Sequence, residues 1–156
     1  MPAKRPSFPL TGGCACGAVR YEISAMPLLV YACHCTECQR RSGSAFALNM
    51  PVATNTFRIV SGAPKAWRNA GGGGTATTSW FCSDCGGRIY GERDGRPEAM
   101  TIRAGTLDDT SWLRPAAHFF MRSAQPWETI DGDCYEAAPE DFRPLALAWQ
   151  AMMAGD

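Results

Sequence analysis

Seven of the eight cysteines of this 156-residue chain lie in three short clusters. The clusters are the pair Cys14 and Cys16, the triplet Cys33, Cys35 and Cys38, and the pair Cys82 and Cys85. Disulfide frameworks spread their cysteines to connect distant loops, whereas thiolates one to three residues apart can converge on one metal ion. In a CxC pair on an extended strand, both side chains point to the same face. The spacing therefore predicts protein-bound zinc, with Zn–S bonds of about 2.3 Å.

The seven clustered cysteines divide naturally into a set of four and a set of three. A structural zinc requires four ligands in a closed tetrahedron, whereas a reactive zinc keeps three and leaves one position open. We predict two zinc ions per chain. The predicted closed site is Cys14, Cys16, Cys82 and Cys85, which joins two distant segments, and the predicted open, catalytic site is Cys33, Cys35 and Cys38. The opposite division, in which Cys33 and Cys35 join Cys82 and Cys85, remains open from the spacing alone.

One cysteine and both histidines stand apart from this division. Cys134 is predicted to be a partly buried free thiol, with a fourth ligand for the open zinc as the alternative. His34 lies between two predicted ligands, and neighbours on an extended segment point away from each other. We therefore expect His34 beside the metal ligands or in solvent. His118 lies in an apolar segment and is predicted to be a hydrogen-bonded core histidine, the alternative being a role near the open zinc.

Short segments of alternating or β-branched residues predict a mostly β fold with little helix. The predicted strand segments are 19–23, 28–31, 45–50, 56–60, 75–81, 88–91, 100–104 and 117–121. Residues 36–41 predict a single helical turn, 144–153 a short terminal helix, and the four glycines at 71–74 a flexible loop or a lid. Aromatic residues of a small β domain usually pack in its core. That placement is expected for Trp67, Trp80 and Trp127.

Length and charge limit the class of protein. A chain of 156 residues is expected to form one domain, here spanning 1–156, with a real hydrophobic core. Its fifteen basic residues balance fifteen acidic ones, so no electrostatic signature of nucleic-acid or anionic-membrane binding is present. No apolar run approaches the ~18 residues of a membrane span, and no apolar signal segment follows Lys4 and Arg5. We predict a cytoplasmic protein with reduced thiols.

Three motifs, in this order along the chain, resemble the glutathione-dependent formaldehyde-activating enzyme (GFA) family. They are GGCACGAVRY from Gly12, CHCTECQRRSGSAF from Cys33 and FCSDCG from Phe81, and HFFMRS from His118 followed by Pro126 and Trp127 resembles the family's ending. The resemblance spans residues 10–135. It implies an Mss4-like, zinc-stabilised β fold with two zinc sites. Carried onto this chain, the family pattern puts Cys14, Cys16, Cys82 and Cys85 at the structural zinc and Cys33, Cys35 and Cys38 at the catalytic or labile one.

The resemblance also implies an activity, that of S-(hydroxymethyl)glutathione synthase, a carbon–sulfur lyase. Its partners would be a small thiol such as glutathione and an aldehyde such as formaldehyde. The side chains of Arg40 and Arg41 are candidates to bind carboxylates of the thiol, and Ser42 and Gly43 to offer backbone N–H groups with Ser44. The alternative is that both arginines are solvated and that the loop only turns the chain.

Two other classes of function compete with the enzyme. The first is a non-catalytic zinc module that binds a protein or another macromolecule, because related folds serve several functions. An open three-ligand zinc has no purpose in such a module, so this sequence favours the enzyme. The second is a sensor of thiol redox state or zinc supply, since neighbouring thiolates oxidise when their metal leaves.

Overall fold

The chain is described here from a computed structural model, which covers residues 4–70 and 75–155. Over these ranges it contains ten strands and two α-helices, so the prediction of a mostly β fold with little helix is confirmed. The strands are β1 (Leu10–Gly13), β2 (Arg20–Ile23), β3 (Tyr31–Cys33), β4 (Ala47–Ala53), β5 (Phe57–Ser61), β6 (Lys65–Asn69), β7 (Thr77–Phe81), β8 (Arg88–Arg93), β9 (Ala99–Arg103) and β10 (Ala117–Phe119). The helices are α1 (Thr36–Ser42) and α2 (Arg143–Ala154). The predicted loop or lid at 71–74 lies outside the described residues.

The strands form two sheets that share a core. The smaller sheet has three antiparallel strands in the order β1-β2-β5, and the larger has seven in the order β10-β3-β4-β9-β8-β7-β6. Only the β10–β3 pair of the described strands is parallel. Tyr21 of the smaller sheet, Met50 and Ile102 of the larger sheet, and Trp149 of α2 belong to one buried apolar cluster. The core therefore fixes the two sheets and the terminal helix relative to one another.

Strand β1 was not predicted, because glycine is depleted in strands. Its second half is Gly12-Gly13, and both residues lie against neighbouring groups too closely for a side chain. A Cβ at Gly12 would collide with the Tyr21 hydroxyl and with the Thr106 carbonyl, and one at Gly13 would collide with the Val19 carbonyl. Glycine is therefore required here by close approach, which a propensity argument cannot detect.

The other differences from the prediction include two strand boundaries and one missed strand. The strand expected at 28–31 is Tyr31–Cys33, since the Leu28 N–H donates to the Pro51 carbonyl (2.8 Å) outside the regular ladder. The strand expected at 117–121 ends at Phe119, because Phe120 adopts φ 59° and a 3₁₀ turn follows. Strand β6 was missed because its side chains are mostly exposed, so that it lacks a buried apolar face. The terminal helix, predicted at 144–153, is present as α2.

Helix α1 is longer than the single predicted turn and is bounded by residues of the central motif. Cys35 is its N-cap, and the Cys35 sulfur accepts a hydrogen bond from the Cys38 N–H at 3.3 Å. Gly43 ends the helix in the left-handed conformation (φ 64°), and its N–H donates to the Gln39 carbonyl at 2.9 Å. The cysteine triplet is thus built into the junction between β3 and α1. Neither helix of the described chain has the length and apolar composition needed to cross a bilayer.

Candidate metal centres

Four cysteine sulfurs from two distant segments meet in one cluster. The Sγ atoms of Cys14, Cys16, Cys82 and Cys85 all lie within 4.8 Å of one another. The Cys14–Cys16 sulfur distance is 3.6 Å, and the Cys16–Cys82 distance is 3.7 Å. A regular tetrahedron with Zn–S bonds of about 2.3 Å has edges of about 3.8 Å. The spacing of the sulfurs therefore fits a four-coordinate zinc.

Backbone N–H groups donate to two of these sulfurs, those of Cys14 and Cys85. The Val19 N–H donates to the Cys14 sulfur at 3.2 Å. Hydrogen bonds from the backbone N–H groups of Cys16 and Gly87 lower the pKa of Cys85 to about 6. The two segments are in direct contact, since a Cβ built at Gly87 would lie 3.6 Å from the Cys14 Cβ. Thiolates stabilised by N–H donors are the form in which cysteine binds a metal.

The second cluster is local in sequence and contains three sulfurs. Cys33 ends β3, Cys35 caps α1, and Cys38 lies in the first turn of that helix; their sulfurs are within 4.8 Å of one another. Contacts with the Cys33 and Cys38 thiols lower the pKa of Cys35. The contact with Cys35 in turn raises the pKa of Cys33. Three thiols this close cannot all ionise without a compensating positive charge, and a divalent cation supplies that charge.

The structure thus groups the cysteines as four and three, and not as Cys33 and Cys35 with Cys82 and Cys85. Cys134 belongs to neither cluster within the described residues. It is a free thiol as predicted, but the prediction that it is partly buried is wrong, because its side chain is exposed. The reason is its position on an edge segment, where its backbone forms a bridge with His118. Its sulfur contacts only the Gly132 carbonyl, at 3.5 Å, in the described chain.

His34 and His118 form a pair behind the cysteine triplet. The His34 ring is fully buried, so the second of its two predicted positions, in solvent, is wrong. The backbone N–H of His34 donates to the Phe119 carbonyl at 2.9 Å and extends the parallel β10–β3 pairing. This pairing brings the His34 ring to His118. The His34 Nε2 and His118 Nδ1 atoms are 3.0 Å apart, and burial lowers the pKa of both rings. His118 is half-buried and hydrogen-bonded, as expected of a histidine that supports the fold.

The four predicted substrate-binding residues lie on two faces of α1. Arg40 and Gly43 line an open cavity of about 630 Å³, together with Thr36, Gln39, Ser44, Ala45, Gln125 and Trp127. Arg41 points elsewhere: it lies three residues after Cys38, which puts both on one helical face. Ser42 supports the loop, because its hydroxyl accepts from the Ser44 N–H (3.2 Å) and donates to the Phe46 carbonyl (3.1 Å). Arg40 therefore lines the cavity, whereas Arg41 pairs with Glu37 and lies over the Trp67 ring.

Two of the three tryptophans expected in the core are exposed. Trp127 is 69% exposed and Trp67 is 45% exposed, so the prediction is wrong for both. Trp80 is partly buried and stacks on Tyr90 with ring centroids 5.7 Å apart, as expected. Trp67 fails to reach the core because it lies on the mostly exposed strand β6.

Polar contacts, rather than apolar packing, hold Trp127 beside the cavity. Its Nε1 donates to the Gln125 Oε1 at 2.7 Å, and the Gln125 Nε2 donates to the Gln39 Oε1 at 3.3 Å. The Gln39 Nε2 then donates to the carbonyls of His34 (2.7 Å) and Ser123 (2.8 Å). This chain of hydrogen bonds connects the cavity wall to the backbone between Cys33 and Cys35. Sequence reasoning missed Gln39 and Gln125, although Gln39 lies inside the central motif.

Two arginines that the sequence did not indicate lie near Cys38 or near Arg41. The Arg103 Nη1 donates to the Asn49 Oδ1. The pKa of Cys38 is raised. The contact with Cys33 lowers this pKa, whereas the contact with Cys35 and burial raise it, and the charge of Arg103 lowers it by a smaller amount. Arg88 lies beside the same group of charges, since burial and then Arg41 and Arg103 lower its pKa. Both are isolated charges at the ends of strands, about 50 residues or more from the triplet in sequence, so no local pattern marks them.

Comparisons with known proteins identify the family of this chain. The family model described as "Glutathione-dependent formaldehyde-activating enzyme" matches residues 9–123. This chain belongs to that family. It is 25% identical over 142 residues to a Halomonas elongata protein named "Putative glutathione-dependent formaldehyde-activating enzyme", covering 85% of this chain and 90% of that one. The crystal structure of a Rhodobacter sphaeroides protein matches 67% of this chain and 91% of its own, with 26% identity and a TM-score of 0.52. The family resemblance read from the three motifs is therefore confirmed.

Proposed function

We propose that this GFA-family chain is a zinc-dependent carbon–sulfur lyase of the S-(hydroxymethyl)glutathione synthase type. Its substrates would be glutathione, or a related thiol, and formaldehyde or a related aldehyde. The observation that carries the proposal is the three-sulfur cluster at the β3–α1 junction, which is separate from the four-sulfur cluster. A closed tetrahedron has no position for a substrate, whereas three ligands leave one. The family membership supports the same conclusion.

In this proposal, each cysteine cluster holds one zinc ion. Cys14, Cys16, Cys82 and Cys85 hold the structural ion, and Cys33, Cys35 and Cys38 hold the ion at the catalytic site. Zinc bound by the triplet would keep a fourth, incoming thiol deprotonated at neutral pH. The substrate sulfur then bonds to the aldehyde carbon, the carbonyl π electrons move to oxygen, and that oxygen takes up a proton to give the hydroxymethyl thioether. The reverse reaction breaks the same carbon–sulfur bond.

The chain's own residues would orient the triplet and the substrate. The Cys38 N–H donates to the Cys35 sulfur, and the Gln39 amide donates to the carbonyl of His34, so the cysteine segment is held from its helical side. Arg40 and Gly43 line the open cavity beside α1 and are proposed to contact the part of the substrate that extends there. Ser42 is proposed to keep this loop in its binding conformation. The protein is proposed to act in the cytoplasm, as a single domain spanning 1–156.

The test is the zinc content of the purified full chain before and after addition of reduced glutathione. We expect two zinc ions per chain and the release of one of them by glutathione. If both ions stay bound, glutathione should change the absorption spectrum of the protein in which cobalt replaces zinc. Formation of the adduct from glutathione and formaldehyde is then followed by NMR, with Cys38→Ser as the inactive variant and Cys134→Ser as the matched control. One tightly held zinc that does not respond to glutathione would overturn the proposal and favour a non-catalytic zinc module.

A further inference from the structure

Three arginines from different elements converge beside the cysteine triplet. Arg41 is on α1, Arg88 begins β8 and Arg103 ends β9. The charges of Arg41 and Arg103 both act on Arg88. Arg103 also donates to Asn49, whose strand partner Tyr31 lies two residues before Cys33. Arg41 follows Cys38 by three residues and therefore shares its helical face. The convergence brings positive charge to the open cysteine site and not to the cavity that Arg40 lines.

Trp67 fixes the position of two of these side chains. The Arg41 guanidinium carbon is 5.7 Å from the centre of the Trp67 ring, and that of Arg88 is 5.5 Å from it. A guanidinium within about 6 Å of an indole ring is attracted by the ring's quadrupole. The ring therefore attracts both guanidinium groups, although their like charges repel each other. It is itself 45% exposed, so the group is accessible from solvent.

Carboxylates that could balance this cluster are scarce among the described residues. Arg41 forms an ion pair with Glu37 at 3.6 Å, and the Glu37 side chain is 59% exposed. Arg103 donates to Asn49, which is neutral, and Arg88 forms no ion pair within the described chain. Three positive charges thus face one weakly placed carboxylate. Because arginine keeps its proton in proteins, this repulsion is not relieved by deprotonation.

Unused hydrogen-bond donors point to the same need. The Arg41 Nε and the Arg88 Nη1 are both buried and have no hydrogen-bond partner within the described residues. Only 16% of the Arg41 side chain is exposed. A buried donor without a partner is costly, and a charged donor costs more than a neutral one. An oxyanion placed between the guanidinium groups would satisfy these donors and reduce the repulsion together.

We propose that Arg41, Arg88 and Arg103, held by Trp67, form a subsite for a carboxylate of the thiol substrate. The planar N–H fork of arginine matches the two oxygens of a carboxylate. The inference rests on the proposed thiol chemistry of Cys33, Cys35 and Cys38, since the subsite orients the molecule whose sulfur reaches that cluster. It defines the substrate class as thiols that carry a carboxylate, and it disfavours neutral thiols.

The first test uses S-methylglutathione, which keeps both carboxylates of glutathione but has no thiol. Its dissociation constant is measured by calorimetry on the zinc-loaded full chain and on two variants. Arg88→Gln removes one charge from the subsite, and Arg96→Gln removes one from an exposed turn outside it. We expect Arg88→Gln to bind about tenfold more weakly and Arg96→Gln to bind like the wild type. Equal affinity of the two variants, or no binding to the wild type, would overturn the subsite.

The second test separates this subsite from the proposed function. The diethyl ester of glutathione keeps the thiol and lacks both free carboxylates. We expect the wild type to bind this ester about tenfold more weakly than it binds glutathione. We also expect the ester to bind Arg88→Gln with the same affinity as the wild type, because it has no carboxylate for the subsite. If neither thiol alters the bound zinc, the proposed function fails, while the S-methylglutathione result still decides the subsite. Arg88→Gln is expected to fold, because it removes a charge that is repelled. Arg41→Gln, on a helix, repeats both measurements at a second position and should give the same direction of change.

Discussion

The two cysteine clusters use the same ligand atom but are built in opposite ways. The four-sulfur cluster joins segments more than sixty residues apart, as the 66-residue separation of Cys16 and Cys82 shows. The three-sulfur cluster lies within six residues at one strand–helix junction and is braced by its own backbone hydrogen bonds. A metal in the first connects parts of the fold, whereas a metal in the second only joins neighbours that are already positioned. The long-range, four-ligand cluster therefore fits the proposed structural role, and the local, three-ligand cluster fits the proposed catalytic role.

The largest effect should follow loss of a ligand from the four-sulfur cluster. Cys82→Ser removes a buried sulfur that connects the β7–β8 turn to the segment after β1. Structural zinc contributes on the order of 10 kcal/mol to folding, which is comparable to the whole stability of a domain. We expect an unfolded or aggregated protein by circular dichroism. A soluble Cys82→Ser variant with the thermal unfolding midpoint of a Cys134→Ser control would show that this cluster is not structural.

Loss of a ligand from the three-sulfur cluster should instead separate metal content from folding. Cys38→Ser leaves two thiols at the β3–α1 junction, too few for a stable site. We expect the variant to lose one zinc per chain and the glutathione response while keeping the wild-type circular dichroism spectrum. Elemental analysis and thermal unfolding on one sample measure both quantities. If Cys38→Ser unfolds as Cys82→Ser does, the contrast between the clusters disappears.

A smaller effect should follow crowding of the strand that leads into the four-sulfur cluster. Gly12→Ala would drive a Cβ into the Tyr21 hydroxyl and the Thr106 carbonyl, and Tyr21 is fully buried. Overpacking of this kind costs about 1–3 kcal/mol. Gly105→Ala is the matched control, since a Cβ there meets nothing within 4 Å. Chemical denaturation should show a clear loss of unfolding free energy for Gly12→Ala only, and similar losses for both would contradict the close-approach argument.

The smallest effect concerns Asp108, whose carboxylate connects β1 and β2 to the segment that follows β9. Hydrogen bonds from Arg20 and then Thr11 lower the pKa of Asp108 in the folded protein. The ionised carboxylate therefore stabilises the fold above its unfolded pKa of about 3.9, and this contribution is lost as pH falls through the lower folded pKa. The pair is partly exposed (34% and 45%), so screening keeps the contribution below about 1 kcal/mol.

Asp108→Asn should accordingly lower the thermal unfolding midpoint by a few degrees at most at pH 7. The difference from the wild type should shrink as pH falls below about 4, because the wild-type carboxyl is then protonated as well. Thermal scans of both proteins across this range measure it. A difference that grows on acidification would show that Asp108 is not stabilised as an anion.

Much of the fold and of the candidate site was predictable because it depends on local spacing. The CxC and CxxC spacings decide which sulfurs are able to share an ion, and the alternation of residues 20–23 decides a strand with one buried face. The central motif was recognisable because its residues are consecutive in the chain. Other features failed where a distant group decides the outcome. Strand β1 was missed since its glycines are required by Tyr21 and Thr106, and Trp67 was placed in the core although its strand lies at the edge of the sheet.

The sequence by itself determined the three cysteine clusters, the mostly β architecture and the family. Each is carried by residues a few positions apart, where chain geometry leaves few arrangements. Only the tertiary structure decided that Cys14 and Cys16 meet Cys82 and Cys85, and that Arg41 faces the triplet while Arg40 faces a cavity. It alone brought Arg41 and Arg88 to the ring of Trp67. The physical reason is that pairing of strands distant in sequence, driven by burial of one shared core, fixes which distant side chains meet, and no local pattern encodes that pairing.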